Sequence, residues 1–414
     1  MPERKRNKRS KWKRHTACFM LLFIFLQGLF STFFTSPVKA REVDFPDLSA
    51  ETAVLMEFSS GQVNYAKNAD EPRPPASLTK IMTLLLVYDA LDKGETSWDE
   101  QVTISEKAWA TGGSQMFLEI DQQVTVGELI TGIATISAND ACVAISEHLY
   151  GSEELFVREM NRKAREMGLQ NTQFQNTSGL HHEEHYTSAM DMAKIAHYFI
   201  QNYPESLELH AQEEYIFNDI RQYNRNPLLG RYPGADGLKT GHTSLAGYCL
   251  VGTAYQDGMR FITVVMDAPS NSSRLSDSET MLNYAFRNYS LYPLFEDGEI
   301  VGKAKVSRGE ERYVDIQSNK AVEVVVPFER EDEVEYKLET PESIPAKVEA
   351  GTPAGYIEVS LDGQVLQTFP LSAASDVEEG GRIALFFRAI GDFFSGIWGG
   401  FTGWLKEILP FPME

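Results

Sequence analysis

The stretch Pro75-Ala76-Ser77-Leu78-Thr79-Lys80-Ile81-Met82-Thr83 is the part of the sequence around which the fold is organised. Prolines at positions 72, 74 and 75 make a stiff approach to Ser77, and the apolar run from Leu78 to Val87 predicts a helix that is buried on all sides. Ser77 and Lys80 are three residues apart at the start of that helix, so they lie on one face within hydrogen-bonding reach. Because a serine is a weak nucleophile until a base takes its proton, this pair predicts an activated serine.

Two further short motifs follow in order, Ser137-Ala138-Asn139 and Lys239-Thr240-Gly241. The first interrupts two predicted helices, and the second starts a β-rich run. We expect the backbone N–H groups of Ser77 and of a residue near His242, just after the third motif, to form an oxyanion hole. The start of the Ser77 helix adds positive potential at the same place.

The side chains of these motifs suit acyl transfer. A desolvated Lys80 beside a second lysine, Lys239, can be neutral enough to act as the base. Ser137 can relay a proton to a leaving amine, and Asn139 can hold a substrate amide. Thr240 and the strand that begins at Lys239 can bind a peptide edge-on, together with its carboxylate.

The three motifs in this order, and the residues around them, closely resemble the low-molecular-mass penicillin-binding proteins, which are serine-type D-alanyl-D-alanine carboxypeptidases. The stretches that contain the second and third motifs are Ser137-Ala138-Asn139-Asp140-Ala141-Cys142-Val143-Ala144 and Asp236-Gly237-Leu238-Lys239-Thr240-Gly241-His242-Thr243. The resemblance covers nearly the whole chain. It implies an enzyme that removes the terminal D-alanine from peptidoglycan stem pentapeptides, and that β-lactams inhibit by acylating the same serine.

The resemblance also implies roles for particular residues. Ser77 would form the acyl-enzyme, with Lys80 as its base, Ser137 as a proton relay with Lys239, and Asn139 completing the catalytic set. The substrate-binding residues implied in this way are Lys239, Thr240, Gly241, His242, Arg225 and Arg274. The two arginines would lie near the substrate carboxylate. We expect no metal and no other cofactor.

The sequence departs from the family pattern at two positions. Ala138 stands where the middle motif more often has glycine, and its small side chain predicts only a local effect on the turn. Ser178 precedes Gly179-Leu180 where many relatives place histidine. Any deacylation role of that histidine is therefore in doubt, and hydrolysis of the acyl-enzyme is expected to be slow.

Composition narrows the classes of protein that the chain can be. Its 414 residues predict two or three structural units. There are 38 Lys and Arg residues against 59 Asp and Glu residues, and the formal net charge is −21. A nucleic-acid-binding protein normally presents a basic surface, so this balance argues against a nucleic-acid partner. Cys142 and Cys249 lie in apolar contexts and are predicted to be buried thiols.

The first 40 residues predict export. Residues 4–14 are dense in Lys and Arg, an apolar stretch runs from Ala17 to Phe34, and Val38-Lys39-Ala40 has the form of a cleavage site. These three parts make a secretory signal peptide over residues 1–40. The alternative is an uncleaved anchor, since the apolar stretch is at the lower limit of length for a membrane-spanning helix.

The remaining sequence predicts an α+β protein. Strands at 53–58 and 62–65, a mostly helical region at 99–200 and strands at 245–254 and 261–266 indicate an antiparallel sheet flanked by helices with a helical insertion. The family resemblance makes this sheet β-lactamase/transpeptidase-like. We assign residues 41–300 to the catalytic domain. Residues 301–375 alternate apolar and polar positions and predict a small all-β domain, with a hairpin at Asp362-Gly363.

The C-terminal segment, residues 376–414, predicts an amphipathic helix. Its large apolar side chains recur at helical spacing from Ile383 to Ile408, opposite a polar face that carries Arg388, Asp392 and Lys406. Such a helix is typical of a segment that lies in a membrane interface, which would hold the protein peripherally on the extracytoplasmic face of the cell membrane. The alternatives are a helix docked on the protein's own core and a contact between copies.

Three other functions fit parts of the sequence. A class A β-lactamase needs a glutamate downstream of the middle motif, and residues 170–180 contain no acid. A metal peptidase could use the cluster of His181, His182 and His185 with Glu183 and Glu184, although the H-E-x-x-H pattern is missing there. A membrane-bound protein that binds the cell wall through a silent site is the non-enzymatic alternative.

Overall fold

The computed structural model describes residues 45–381, 383 and 385. The α-helices within this part of the chain are α1 (Lys80–Asp92), α2 (Glu106–Ala110), α3 (Val126–Thr131), α4 (Asn139–Tyr150), α5 (Glu153–Glu166), α6 (Ala189–Asn202), α7 (Ser206–His210) and α8 (Asn271–Asn288). Three single-turn elements accompany them: 3₁₀ helices at Ala76–Thr79 and Glu331–Glu333 and a π-helical turn at Gly132–Ile136.

The strands of the same residues fall into two large sheets and several small pairs. They are β1 (Thr52–Glu57), β2 (Val63–Lys67), β3 (Gln101–Thr103), β4 (Gln123–Thr125), β5 (Glu214–Phe217), β6 (Ile220–Tyr223), β7 (Ala235–Thr243), β8 (Gly247–Gln256), β9 (Met259–Ala268), β10 (Tyr289–Phe295), β11 (Ile300–Ser307), β12 (Tyr313–Ser318), β13 (Val322–Pro327), β14 (Glu335–Glu339), β15 (Ile344–Pro345), β16 (Pro353–Leu361) and β17 (Gln364–Ala373).

The central sheet is antiparallel, with the strand order β2-β1-β9-β8-β7. Two of its strands precede the helical region and three follow it, so the helices from α1 to α7 form an insertion between β2 and β7. The predicted α+β architecture is confirmed. The strand expected at Lys239 begins four residues earlier, at Ala235, and forms an edge of the sheet.

Helix α1 runs through the interior, and α4, α5 and α6 lie against it. Its residues from Lys80 to Tyr88 are all buried, as the apolar run in the sequence predicts. Burying such a helix on every side is a large hydrophobic contribution to folding, which ties the position of Lys80 to the core of the domain.

The break that the sequence predicts at Ser137 is a change of helix type. Helix α3 begins with a capping box between Thr125 and Glu128, and the π-helical turn that follows it ends at Ser137. Ser137 has a left-handed backbone with φ of 65°, which is uncommon for a residue that is not glycine and marks a constrained position. The chain restarts as α4 two residues later.

The C-terminal part of the described chain is all-β, as predicted. Its six-stranded sheet has the order β14-β16-β17-β12-β11-β15, and β10 pairs with β13 beside a second hydrophobic core. The hairpin between β16 and β17 turns at Asp362 and Gly363, whose φ angles of 53° and 74° fit the expected two-residue turn.

The predicted signal segment, residues 1–40, lies outside the described residues, as does nearly all of the predicted C-terminal helix. Among the helices that the structure describes, none has the length and apolar character needed to cross a membrane. Cys142 and Cys249 are both buried free thiols, as predicted.

Candidate active site

Ser77 lies in the 3₁₀ turn that leads into α1. The residue before it, Ala76, has φ of 47°, and its carbonyl oxygen accepts a hydrogen bond of 2.8 Å from Thr79 Oγ1. An alanine with positive φ is a local strain, and here it turns the chain sharply from the proline segment into the helix. Ser77 itself is half-buried and lines a cleft.

Lys80 is completely buried and points its amine at Ser77. Its Nζ donates to Ser77 Oγ at 3.0 Å, to Asn139 Oδ1 at 2.8 Å and to the Ser178 carbonyl at 2.5 Å. All three acceptors are uncharged, so no carboxylate compensates the ammonium at hydrogen-bond distance. Burial is the largest influence, and it lowers the pKa of Lys80 to about 8. A neutral amine can therefore exist beside the Ser77 hydroxyl near neutral pH.

The middle motif faces this pair from the helical side. Asn139 Nδ2 donates to the Gly112 carbonyl at 2.7 Å, and Asn139 N donates to the Ser114 carbonyl at 2.7 Å. The side chain is thus fixed at both ends, between the 112–114 loop and Lys80. Ser137 Oγ is buried in the same wall and has no hydrogen-bond partner among the described residues. An unpaired buried hydroxyl is costly, so this group is suited to a bound substrate or a proton in transfer.

Strand β7 forms the opposite wall. A Cβ placed on Gly241 would lie 2.9 Å from the Pro75 carbonyl oxygen and 3.3 Å from Ser77 N, so only glycine lets the strand pass so close to the Ser77 turn. This approach brings the backbones of the expected oxyanion hole together. Lys239 is buried, and its Nζ makes a 3.3 Å bond to the Thr240 carbonyl. Burial first, and the nearby Lys80 second, lower the pKa of Lys239 well below its ordinary value.

The two predicted arginines both line the cleft, in different ways. The Arg274 guanidinium is buried and donates to the carbonyls of Gly241 and Cys249 at 3.0 Å, which braces β7 against β8. Arg225 is exposed and makes no ion pair within the described part of the chain. His242 packs on Tyr248 with ring centroids 4.1 Å apart. Of the two arginines, Arg225 is the one whose guanidinium makes no hydrogen bond to the described residues, so its donors can meet a carboxylate.

These residues enclose one cleft of about 320 Å³. Its lining comprises Ser77, Gly113, Ser114, Ser137, Asn139, Ser178, Gly179, Leu180, Arg225, Thr240, Gly241, His242, Thr243 and Arg274. Lys80 and Lys239 lie buried behind it. The structure therefore brings all ten predicted site residues to a single place, although they come from five separate parts of the sequence.

Two groups that contribute to the site were not predicted from the sequence. The carbonyl of Ser178 accepts from Lys80, and a backbone oxygen carries no signal in residue identity. Asp140 is fully buried and accepts from the backbone N–H groups of Met116 and Leu118 at 3.0 and 3.3 Å, so it holds the loop beside Asn139. Burial raises the pKa of this carboxyl. Its position next to Asn139 in the motif was the available signal.

The histidine cluster that suggested a metal site is not assembled as one. His185 is buried, its Nδ1 accepts from Gln175 N at 3.3 Å, and its Nε2 lies 2.9 Å from Thr79 Oγ1. Both ring nitrogens are therefore engaged, Nε2 with the Ser77 turn and Nδ1 with the backbone of Gln175, and burial lowers the pKa of His185 to about 3. His181 and His182 are exposed. Over residues 45–381, no group of three His, Cys, Asp or Glu side chains is placed to hold a metal ion.

Comparison with known proteins gives the same result over both parts of the chain. Residues 39–270 match the family described as D-alanyl-D-alanine carboxypeptidase, and residues 289–379 match the C-terminal domain of penicillin-binding protein 5. The D-alanyl-D-alanine carboxypeptidase DacF of Bacillus subtilis is 38% identical over 349 residues, which are 83% of this chain and 90% of that protein.

Solved structures agree with these matches. Penicillin-binding protein 5 from Haemophilus influenzae is 36% identical and superposes with a TM-score of 0.68 over 81% of this chain and 99% of its own. Penicillin-binding protein D2 from Listeria monocytogenes, in its cefotaxime-bound form, is 33% identical with a TM-score of 0.54 over 58% of this chain and 98% of its own. The chain therefore belongs to the D-alanyl-D-alanine carboxypeptidase family, the serine-type penicillin-binding proteins that its three motifs predict.

Proposed function

We propose that Ser77 is the nucleophile of this carboxypeptidase and that Lys80 is its base. The observation that supports this assignment is the 3.0 Å bond between Lys80 Nζ and Ser77 Oγ at the floor of the cleft. As Ser77 Oγ attacks the carbonyl carbon of the penultimate D-alanine, its proton passes to Lys80. The peptide C–N bond then breaks, and the proton held by Lys80 passes through Ser137, assisted by Lys239, to the leaving amine, which returns Lys80 to its neutral form. Water later hydrolyses the Ser77 ester and regenerates the hydroxyl.

The substrate is a peptidoglycan stem peptide that ends in D-Ala-D-Ala. Its backbone lies along the edge of β7, beside Thr240, Gly241 and His242, and its terminal carboxylate pairs with Arg225. Arg274 acts by holding the Gly241 carbonyl in place. The side chain of Asn139 binds the amide on the acyl side. β-Lactams acylate Ser77 because they present a strained amide in the same orientation.

The protein acts outside the cytoplasm, on the surface of the cell membrane. The support for this location is the sequence alone: the basic and apolar signal segment of residues 1–40, and the amphipathic pattern of residues 383–408. The β-rich region between them connects the catalytic part to that C-terminal segment. Removal of residues 376–414 is a direct way to ask whether the segment holds the protein on vesicles.

The experiment that tests the catalytic proposal is intact mass measurement after exposure to benzylpenicillin. The unsubstituted protein should gain the mass of one drug molecule and should release D-alanine from a D-Ala-D-Ala peptide, whereas Ser77→Ala should do neither. Ser290→Ala is a matched control, since that serine lies in β10, outside the cleft. An adduct on Ser77→Ala, or none on the unsubstituted protein, would contradict the assignment.

Acylation is expected to depend on pH through Lys80. The base must be neutral, and the pKa of Lys80 is lowered to about 8, so the second-order acylation rate should rise as pH increases through about 8 and level off above it. At about pH 6 it should be about a hundredfold below the plateau, because each pH unit below the pKa reduces the neutral fraction about tenfold. Stopped-flow acylation by a chromogenic cephalosporin measures this profile. A midpoint near the ordinary lysine value would contradict the lowered pKa of Lys80, and a rate that does not change between about pH 6 and about pH 9 would count against Lys80 as the base.

A further inference from the structure

The loop 176–180 lies along the first turns of α1. Thr83 Oγ1 donates to the Thr177 carbonyl at 2.7 Å, and Lys80 Nζ donates to the Ser178 carbonyl at 2.5 Å. Since residues 80 and 83 share a helix face, they hold two consecutive carbonyls of the loop. The Ser178 carbonyl is therefore one of the three acceptors of the buried ammonium, and its orientation matters for that cation.

One side chain at the start of the loop orients it. Asn176 Oδ1 accepts from three consecutive backbone N–H groups, those of Ser178 at 3.2 Å, Gly179 at 2.7 Å and Leu180 at 3.1 Å. Asn176 Nδ2 also donates to the Leu180 carbonyl at 2.8 Å. A single amide thus satisfies four backbone groups of a five-residue loop, which is a typical use of asparagine.

The geometry of the peptide bond links Asn176 to the base. The Gly179 N–H and the Ser178 C=O belong to one planar peptide unit, in which the two groups point in opposite directions. The shortest bond of Asn176 fixes that N–H, so it also fixes the direction of the carbonyl toward Lys80. We propose that Asn176 is a positioning residue that, through the Ser178–Gly179 peptide, holds a carbonyl acceptor on the amine of Lys80.

This inference rests on the proposed role of Lys80 as base, and the charges around Lys80 set the expected sign. Asp140 and Cys142 face it from α4, Lys239 from β7, and Arg225 and His185 from the segments after β6 and after the loop. Of these groups, Cys142 and Asp140 raise the pKa of Lys80 and Arg225 lowers it, while burial, the largest influence, also lowers it. Losing the Ser178 acceptor removes a hydrogen bond that stabilises the ammonium form, so the pKa of Lys80 should fall. The part of the pH profile in which the acylation rate rises with pH, called here the acid limb, should therefore move to lower pH.

The test compares three variants of the full-length protein by the pH profile of acylation. Asn176→Leu keeps the approximate shape but removes the acceptor, and we expect a plateau rate about tenfold lower and an acid limb lower by about one pH unit. Thr83→Val is the matched control: it removes a bond to the adjacent carbonyl of the same loop and should leave the limb in place. Asn176→Asp keeps an acceptor for the three N–H groups, and its added negative charge should leave the limb unchanged or raise it.

The outcomes separate positioning from a general structural role. A downward displacement in Asn176→Leu, with the limb unchanged or raised in Asn176→Asp and unchanged in Thr83→Val, supports the inference. A lower plateau with an unmoved limb in Asn176→Leu, or the same downward displacement in Asn176→Asp, overturns it. If Asn176→Leu does not fold, Asn176→Ala takes its place, with the same expected displacement and the same contradicting outcomes. Failure of the unsubstituted protein to acylate at all overturns the proposed function, and this inference with it.

Discussion

Replacing Lys80 with glutamine should lower the second-order rate of acylation by benzylpenicillin by about 10³–10⁴-fold, while Ser77 remains in place. The reason is that Lys80 Nζ is the only titratable group that the described structure places within hydrogen-bonding distance of Ser77 Oγ. A glutamine amide can still donate to Asn139 and Ser178, so the walls of the cleft keep their contacts, but it cannot take a proton.

The matched control is Lys67→Gln. Lys67 Nζ also donates to backbone carbonyls, those of Leu48 at 2.8 Å and Ala50 at 2.6 Å, and it lies outside the cleft. Rates are read by intact mass against time, and thermal unfolding shows whether each variant is folded. An equal loss in both variants would mean that stability, and not the base, explains the effect. A Lys80→Gln rate within tenfold of the unsubstituted protein would require another base.

Residue identity was sufficient to predict which side chains meet in the cleft. The Ser77–Lys80 spacing at the start of an apolar helix predicts their contact, and the interruption at Ser137 predicts a constrained turn; both are present. The fold could be predicted because a helical region separates two sets of strands in the sequence, and helices and strands differ in their hydrophobic periodicity. Helix and strand patterns are local, so they are visible without knowledge of tertiary contacts.

The features of the site that the sequence did not predict are those made by backbone groups. The Ser178 carbonyl on Lys80 depends on how a loop is folded back over α1, and residue 178 was noticed only for the histidine it replaces. The expectation of slow deacylation stays a prediction. His185 is a different case: its neighbours in sequence left a metal peptidase open as an alternative, whereas its neighbours in space, Thr79 and Gln175, use both ring nitrogens.

Gly179→Ala should be the most destabilising single methyl addition near the cleft. Gly179 has φ of 85°, and a Cβ there would lie 1.8 Å from the Ala76 carbonyl oxygen and 2.3 Å from its carbon. Both atoms are backbone, so the clash can be relieved only by moving the loop or the Ser77 turn. We expect a loss of about 3 kcal/mol or more in the free energy of unfolding. Acylation should also be slower, because Ser77 is displaced.

Gly168→Ala separates this clash from the conformational cost of positive φ. Gly168 has φ of 69°, close to that of Gly179, yet within the described structure no atom other than those of its chain neighbours lies within 4 Å of a Cβ placed there. Its substitution should cost only about 1 kcal/mol and leave acylation unchanged. Urea denaturation with the slope held in common gives the two free energies, and adduct formation gives the rates. Equal destabilisation would show that φ alone makes glycine necessary at 179. A larger loss in Gly179→Ala, with slower acylation, would show that this glycine is required because the loop that binds Lys80 passes directly over the turn that carries Ser77.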